Sequence, residues 1–462
     1  YGLGAKGFWF DEAYSHLIAR MPVQEGLQAM IVDGVHPPLF NWIEKASLML
    51  GTSEAMFRVP SVIFGVLGVV LLYALARRWF GERAAFLAGL LLCLSPYHLW
   101  YSQEARPYAV LAALATACML AFVRMLEDDT NLWKAVFVAV SALAYTTHYF
   151  ALMLPLIQFA HLIINLRKHW RTLRTWTILQ VFAAIPLMVW IGVLAQQRGQ
   201  AFGIGWIPES GWSDLAYTLI NFTVGYTQPI TFFHWLGLGI CLGMCLLAVG
   251  HSQMSMERGS LLFLWAFLPM GLTFLLSFNQ PVYVDRFLIG SLPAILLLIG
   301  LGADRLKGWR IIPVGALLSA LLIIGMLRFN FNPAQAKEAW DEAASHVENA
   351  GADEAVVVRV LQIVVPLSYY YHGDHPIEAM EVNREITPLE EIAAGHSGLW
   401  LFYWNTTTDA HLVTADPRFD PSSEQDPVAY DWISGNGPEI IERFDHRGVT
   451  VFHFDLQPTM AP

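Results

Sequence analysis

Apolar residues run in long stretches through residues 57–327 and in short alternating ones after Phe329. A helix crossing a hydrocarbon core about 30 Å thick needs about 20 mostly apolar residues. Ten stretches meet or approach that length: Phe57–Phe80, Ala84–Ser102, Pro107–Met125, Leu132–His148, Tyr149–Leu166, Thr175–Gln197, Thr231–Gly250, Ser260–Phe278, Arg286–Ala303 and Ile311–Leu327. The fourth and fifth nearly fuse at Thr147-His148-Tyr149, which predicts a tight turn. Ahead of them, residues 1–56 read as a polar loop with amphipathic helices over Asp11–Met21 and Leu39–Leu50, separated by the turn Gly34-Val35-His36-Pro37-Pro38. Such helices lie in the membrane interface rather than across it. Behind them, 328–462 predicts a soluble domain: an acidic helix over Ala334–Ala350, a β-branched strand over Glu354–Val360, a tyrosine cluster at Ser368–Tyr371, and strands over Gly398–Trp404 and Gly448–Leu456. The fold class that follows is an α-helical polytopic membrane protein, 57–327, with a small C-terminal α/β domain. The linker Arg198–Ile230, with Gly203-Ile204-Gly205-Trp206-Ile207-Pro208, reads as a further interfacial lid or a sugar-facing loop.

Charge orients the spans. One set of alternate loops carries Arg77, Arg78, Arg83, Arg124, Lys134, Arg167, Lys168, Arg171, Arg174, Arg258, Arg305, Lys307 and Arg310, and the other only Arg106, Arg198 and Arg286. By the positive-inside rule the first set is cytoplasmic. The first loop, the three outlying arginines and the C-terminal domain then face the extracytoplasmic side. Of the 38 acidic residues, 22 lie from Arg328 onward against 7 bases, so the net charge of −11 belongs to the tail and the membrane part is mildly basic. A nucleic-acid partner does not fit. The four cysteines, Cys93, Cys118, Cys241 and Cys245, fall in apolar runs without CxxC spacing and read as packing residues.

The apolar runs hold no Asp, Glu, Lys or Arg away from their ends, and His161 and His234 are among their imidazoles. A coupled transporter places ionisable groups near the midplane, so the chemistry is expected at the outer surface. There, Phe8-Trp9-Phe10-Asp11-Glu12-Ala13-Tyr14 sets two carboxylates among aromatics, and His36-Pro37-Pro38-Leu39 follows. Asp11 reads as a base, against an N-cap for the next helix; Glu12 reads as a group that orients it or the acceptor. Arg58, Arg106 and Arg286 suit a lipid phosphate, against interfacial snorkelling. Arg198 is a weaker member of the same set. Glu104 pairs with Arg106 or positions substrate. His36 and His148 contact sugar or phosphate, or make plain interfacial hydrogen bonds; Tyr101, Tyr108 and Tyr283 stack on sugar or belong to an aromatic belt.

The ordered set of that Asp-Glu pair, His36-Pro37-Pro38-Leu39, Phe57-Arg58-Val59-Pro60-Ser61, Arg78-Trp79-Phe80-Gly81, Ser95-Pro96 and Tyr101-Ser102-Gln103-Glu104-Ala105-Arg106-Pro107-Tyr108 resembles the GT-C glycosyltransferases. The bacterial branch similar to protein O-mannosyltransferases and lipid A aminoarabinose transferase is nearest, over Gly7 to about Leu327. The resemblance implies an enzyme of the cell (inner) membrane with a polyprenyl-phosphate sugar as donor and transfer on the outer face. It implies Asp11 as the catalytic aspartate, and a glycan, lipid or protein as acceptor. It also implies a transmembrane helix before the first loop, an eleventh span. Some relatives bind a divalent metal ion near the site and others do not; no ligand set in the sequence decides between them. A single displacement from a lipid phosphate, with one base and cations on the departing phosphate, would invert the anomeric centre. A lipid or sugar transporter or flippase is the rival reading; it calls for inverted repeats and broken midplane helices, which the sequence does not display.

Overall fold

The computed structural model describes residues 2–196, 207–225, 230–306, 309, 311–331, 337–348, 350–382, 385–404, 432–433 and 439–456. Arg198, Gly203-Ile204-Gly205-Trp206, Lys307 and Arg310 lie outside the described residues. The chain divides into two compact units, Tyr1–Leu17 with Asn330–Pro462, and Ile18–Phe329.

The larger unit is helical. All ten apolar stretches lie on helical structure. Among the described residues seven helices are long and apolar enough to cross a bilayer, and an eighth counts if the pair Glu82–Leu94 and Pro96–Ser102, bent by 61°, is one span. The fourth and fifth stretches fall short of a full span. They become Asn131–Thr147, of 17 residues, and a 3-10 turn Tyr149–Leu152 running into Met153–Ile164. His148, extended at φ −156°, stops the first and caps the second by accepting from Phe150 N–H at 3.1 Å. Before these spans, Val23–Asp33 is a helix that the hydrophobic pattern did not predict, and Leu39–Ser47 is one that it did.

Helix packing is close because small residues sit where backbones cross. A Cβ on Gly65 would fall 2.3 Å from Ser102 Oγ, and one on Gly302 would fall 1.9 Å from the Met244 carbonyl. Polar side chains tie helices together where no water is present to satisfy them. Gln158 Oε1 accepts from Trp176 Nε1 and Gln180 Nε2, both at 2.9 Å, and Gln180 Oε1 accepts from Tyr145 Oη at 2.7 Å. Cys118, Cys241 and Cys245 are buried as expected, whereas Cys93 is exposed on its helix.

The smaller unit is built on a six-stranded sheet. Its strands are β1 (Glu354–Val360), β2 (Ile377–Val382), β3 (Glu385–Ile386), β4 (Gly398–Trp404), β5 (Glu439–His446) and β6 (Val449–Asp455), in the order β3-β2-β1-β4-β6-β5. β1 runs parallel to β2 and β4; the outer pairings are antiparallel. Both faces are covered, which is why the centre reads as a run of valines rather than an alternation. Val356, Val358 and Phe402 pack with Trp340 and Leu367 on one face, and Val357, Leu399 and Leu401 with Met380, Leu389 and Phe452 on the other. Ala334–Ala350 was expected as one helix; Trp340–Ser345 is the part that the structure describes as helical.

Candidate active site

The first carboxylate pair belongs to the smaller unit. The helix Phe10–Arg20 places Asp11 and Glu12 in its first turn. Asp11 is thus the second residue of the helix and not its N-cap, so the capping alternative does not describe it. Glu12 is fully buried and receives Lys337 Nζ at 2.7 Å. The neighbouring Glu338 accepts from Phe10 N–H at 3.2 Å, from Trp340 Nε1 at 2.5 Å and from Trp404 Nε1 at 2.8 Å. Tyr370 Oη accepts from Phe8 N–H at 2.6 Å. Two adjacent residues, Lys337 and Glu338, therefore hold the start of the helix that bears Asp11. Burial pushes the Glu338 carboxyl up to about 7 against the pull of its three donors. Sequence reading missed this strap because its halves are more than 300 residues apart; the one trace is the Lys-Glu pair ahead of Trp340.

The cations belong to the larger unit. Ser95 caps the short helix Pro96–Ser102 by accepting from His98 N–H, with Pro96 at its first position. The turn after it delivers Arg106, buried, whose Nη2 donates to His36 Nε2 at 2.9 Å. The His36 ring stands 5.0 Å from that of His148, which lies 5.9 Å from Tyr108 and 5.1 Å from Phe287. Arg286, from the 3-10 segment Asp285–Ser291, lies 6.0 Å over Tyr108 and 5.8 Å over Phe287. Tyr101 joins through Tyr108, at 5.0 Å. His36, Arg106, His148, Arg286 and Tyr101 are thus gathered in one cluster.

Hydrogen bonding fixes the two imidazoles. A guanidinium only donates, so His36 Nε2 accepts and its proton sits on Nδ1. A backbone N–H likewise makes His148 Nδ1 an acceptor and leaves the proton on Nε2. His36 Nδ1 and His148 Nε2 are buried and, among the described residues, have no hydrogen-bond partner. Burial, then the nearby Arg106, His148 and Arg286, keep His36 well below its usual range and neutral. The pocket thus offers two cations and two buried N–H donors, which is chemistry for an anion.

Two carboxylates flank the cluster. Asp285 accepts from Asn221 Nδ2 at 2.7 Å and from Arg286 N–H at 2.6 Å. Glu104 is buried two residues before Arg106. Arg58 is buried in the helix Glu54–Phe80. Tyr283 stands apart from the others, donating to Thr218 Oγ1 at 2.8 Å. A small, half-open apolar cleft with about 20 Å³ of water-accessible volume, lined by Leu111, Leu154, Trp265 and Leu288, shares Phe287 with the cation cluster and also borders Phe150. Among the described residues one group of His, Cys, Asp or Glu side chains has metal-ligand spacing, His161, His169 and Glu257, and it involves none of these residues.

Residues 35–192, which include His36, Arg58, Arg106 and His148, match the family model described as dolichyl-phosphate-mannose-protein mannosyltransferase. No curated protein matches the sequence. The structure is similar to ArnT from Cupriavidus metallidurans in the apo state, with a TM-score of 0.63 at 13% identity over 97% of this chain and 93% of that one. It is equally similar, at TM-score 0.63 and 13% identity, to the same protein bound to undecaprenyl phosphate, over 100% and 96% of the two chains. This is a GT-C fold. At that identity the likeness carries the fold, and the family match indicates a glycosyltransferase. The apolar helices make it a multi-pass membrane protein.

Proposed function

We propose that the protein transfers a sugar from a polyprenyl-phosphate donor to an acceptor hydroxyl on the extracytoplasmic face, with inversion. The observation that carries this reading is the anion pocket of Arg106, Arg286, His36 and His148 set beside a small apolar cleft. The cations and N–H donors suit a charged head, and the apolar cleft beside them suits the start of an apolar chain. The undecaprenyl phosphate bound by ArnT, which shares the fold, is a ligand of that kind.

In the proposed reaction Asp11 takes the proton of the acceptor hydroxyl as its oxygen attacks the anomeric carbon. The bond from that carbon to the phosphate oxygen breaks, and polyprenyl phosphate leaves with its charge met by Arg106 and Arg286, with Arg58 as a third cation. Glu12, paired with Lys337, orients Asp11 rather than touching the acceptor. The N–H groups of His36 and His148 donate to phosphate or sugar oxygens; Glu104 and Tyr101 line the same pocket. Tyr283, bonded to Thr218, fits the aromatic belt better than a stacking role.

Binding of undecaprenyl phosphate to the purified protein tests the pocket. Arg106→Ala and Arg286→Ala should each weaken it by about 1.5–3 kcal/mol, the worth of a hydrogen bond to a charged group. Lysine at either position should recover part of that, since the two-pronged donor is lost. Unchanged affinity in both alanine variants would leave these arginines as structural residues and remove the lipid-phosphate reading.

A further inference from the structure

His161 lies in the last turn of the helix Met153–Ile164, His169 where the long helix Leu166–Leu194 breaks (φ −115°, ψ 23°), and Glu257 in the first turn of the helix Met256–Ser277. Their ligand atoms all lie within 4.8 Å of one another. From these three helix ends we propose that His161, His169 and Glu257 form a binding site for a divalent ion of the zinc class. The inference is independent of the transfer reaction proposed above.

Hydrogen bonds decide which nitrogen of His161 is open to a ligand. Ser260 Oγ donates to the Glu257 carbonyl at 2.9 Å, so it accepts from His161 Nδ1 at 3.0 Å and from Asn165 Nδ2 at 3.0 Å. Asn165 Nδ2 also donates to the His161 carbonyl at 2.9 Å and lies 3.4 Å from Nδ1. The proton of His161 is therefore on Nδ1, and Nε2 presents a lone pair. His161 is 0% exposed, and among the described residues that Nε2 has no hydrogen-bond partner. A buried imidazole with one nitrogen held by a hydroxyl and the other bare is how histidine is prepared for a metal. His169 Nε2 stands 2.6 Å from Glu257 Oε1, and a metal would displace the proton shared there. Two imidazoles and one carboxylate suit zinc, cobalt or nickel better than magnesium, and leave a fourth position for water.

Lys168 opposes the ion, with Nζ 2.5 Å from Glu257 Oε2, but its side chain is 66% exposed and is free to swing into solvent. Removing it should therefore improve the site. Bound metal would join three helix ends on the face that the basic loops mark as cytoplasmic, at the far end of Met153–Ile164 from His148.

The test uses the full-length protein in detergent, stripped of metal and titrated with Co(II). The visible absorption of a tetrahedral cobalt centre should appear at one ion per chain, and Zn(II) should displace it. The melting temperature should rise with added metal, as for any ligand that binds the folded state. His161→Ala and Glu257→Gln should weaken binding at least tenfold, and Lys168→Gln should strengthen it several-fold. The lysine lies at the surface, so its variant carries the test even if the buried changes fail to fold. Absence of a cobalt spectrum in the parent protein, or undiminished binding in folded ligand variants, would overturn the site, and so would unchanged or weaker binding in Lys168→Gln.

Discussion

At the scale of single residues the strongest claim concerns Asp11. As the second residue of its helix it does not cap that helix, so replacing its carboxylate with an amide costs little structure. Asp11→Asn should insert, melt within a degree or two of the parent and bind undecaprenyl phosphate, yet lose transfer by roughly 10²–10⁴-fold, the range of a general base. Near-normal turnover in Asp11→Asn would end the mechanism. Glu338 gives a second residue-scale prediction through pH. Its carboxyl sits at about 7 when folded against 4.5 when free, so the folded state holds the extra proton between those values. Stability from this group is complete below about 4.5 and is lost as pH rises through about 7. Thermal melts across that window should flatten in Glu338→Gln, which keeps an acceptor for Phe10 N–H and has no proton to lose. An unaltered slope would mean that other groups set the pH dependence. The sequence displayed Asp11 through its aromatic setting, but a buried neutral carboxyl has no signature in composition, and Glu338 was invisible until its three donors were seen.

Among elements, what could be read depended on whether the pattern was local. The strands Glu354–Val360 and Gly398–Trp404 match their predicted limits because both faces of the sheet are buried, which leaves unbroken apolar runs. β2 and β5 were missed because Ile377–Val382 and Glu439–His446 interleave glutamates with apolar residues, as exposed parts of a sheet do. The spans were legible from hydropathy, while the 61° break at Ser95-Pro96, which delivers Arg106, rests on a proline and a capping serine that hydropathy does not weigh. The strap from Lys337 and Glu338 to the first helix joins elements far apart in sequence and left no periodicity to detect. Its energetics can still be tested. Removing Lys337 leaves Glu12 buried without that cation, and breaking a buried pair costs about 3–5 kcal/mol. Lys337→Ala should lower stability by that order and impair transfer with it, while the double variant with Glu12→Gln should regain part of the loss. A double variant no more stable than Lys337→Ala would show that the pair is not coupled. Turnover preserved in a folded Lys337→Ala would separate the strap from catalysis.

For the whole molecule, the remaining question is which way it faces, and charge is the argument. The inter-helix loops assigned to the cytoplasm carry thirteen bases against three in the inter-helix loops of the other side, a bias large enough to fix orientation when the loops are short. Several of these bases meet carboxylates at the helix ends, Arg78 and Arg124 with Asp128 and Lys168 with Glu257, each pair within 3 Å. Such pairs hold the ends together but leave the sign of the face unchanged, since the acids are fewer. The cations proposed to bind the donor, Arg106 and Arg286, lie on the opposite set of loops, so orientation and function stand or fall together. In a background where the exposed Cys93 is serine, a cysteine at Ser368, on the surface of the smaller unit, should react with an impermeant thiol reagent in intact cells, using spheroplasts if there is an outer membrane. A cysteine at Thr172, among Arg167, Lys168, Arg171 and Arg174, should react only after the membrane is opened. Ser422 and Thr407, also suited to labelling by sequence, lie outside the described residues. Labelling at Thr172 alone would invert the molecule. The anion pocket would then face the cytoplasm, the acceptor would have to be sought there, and the proposed transfer on the outer surface would be lost even if every arginine still bound the lipid phosphate.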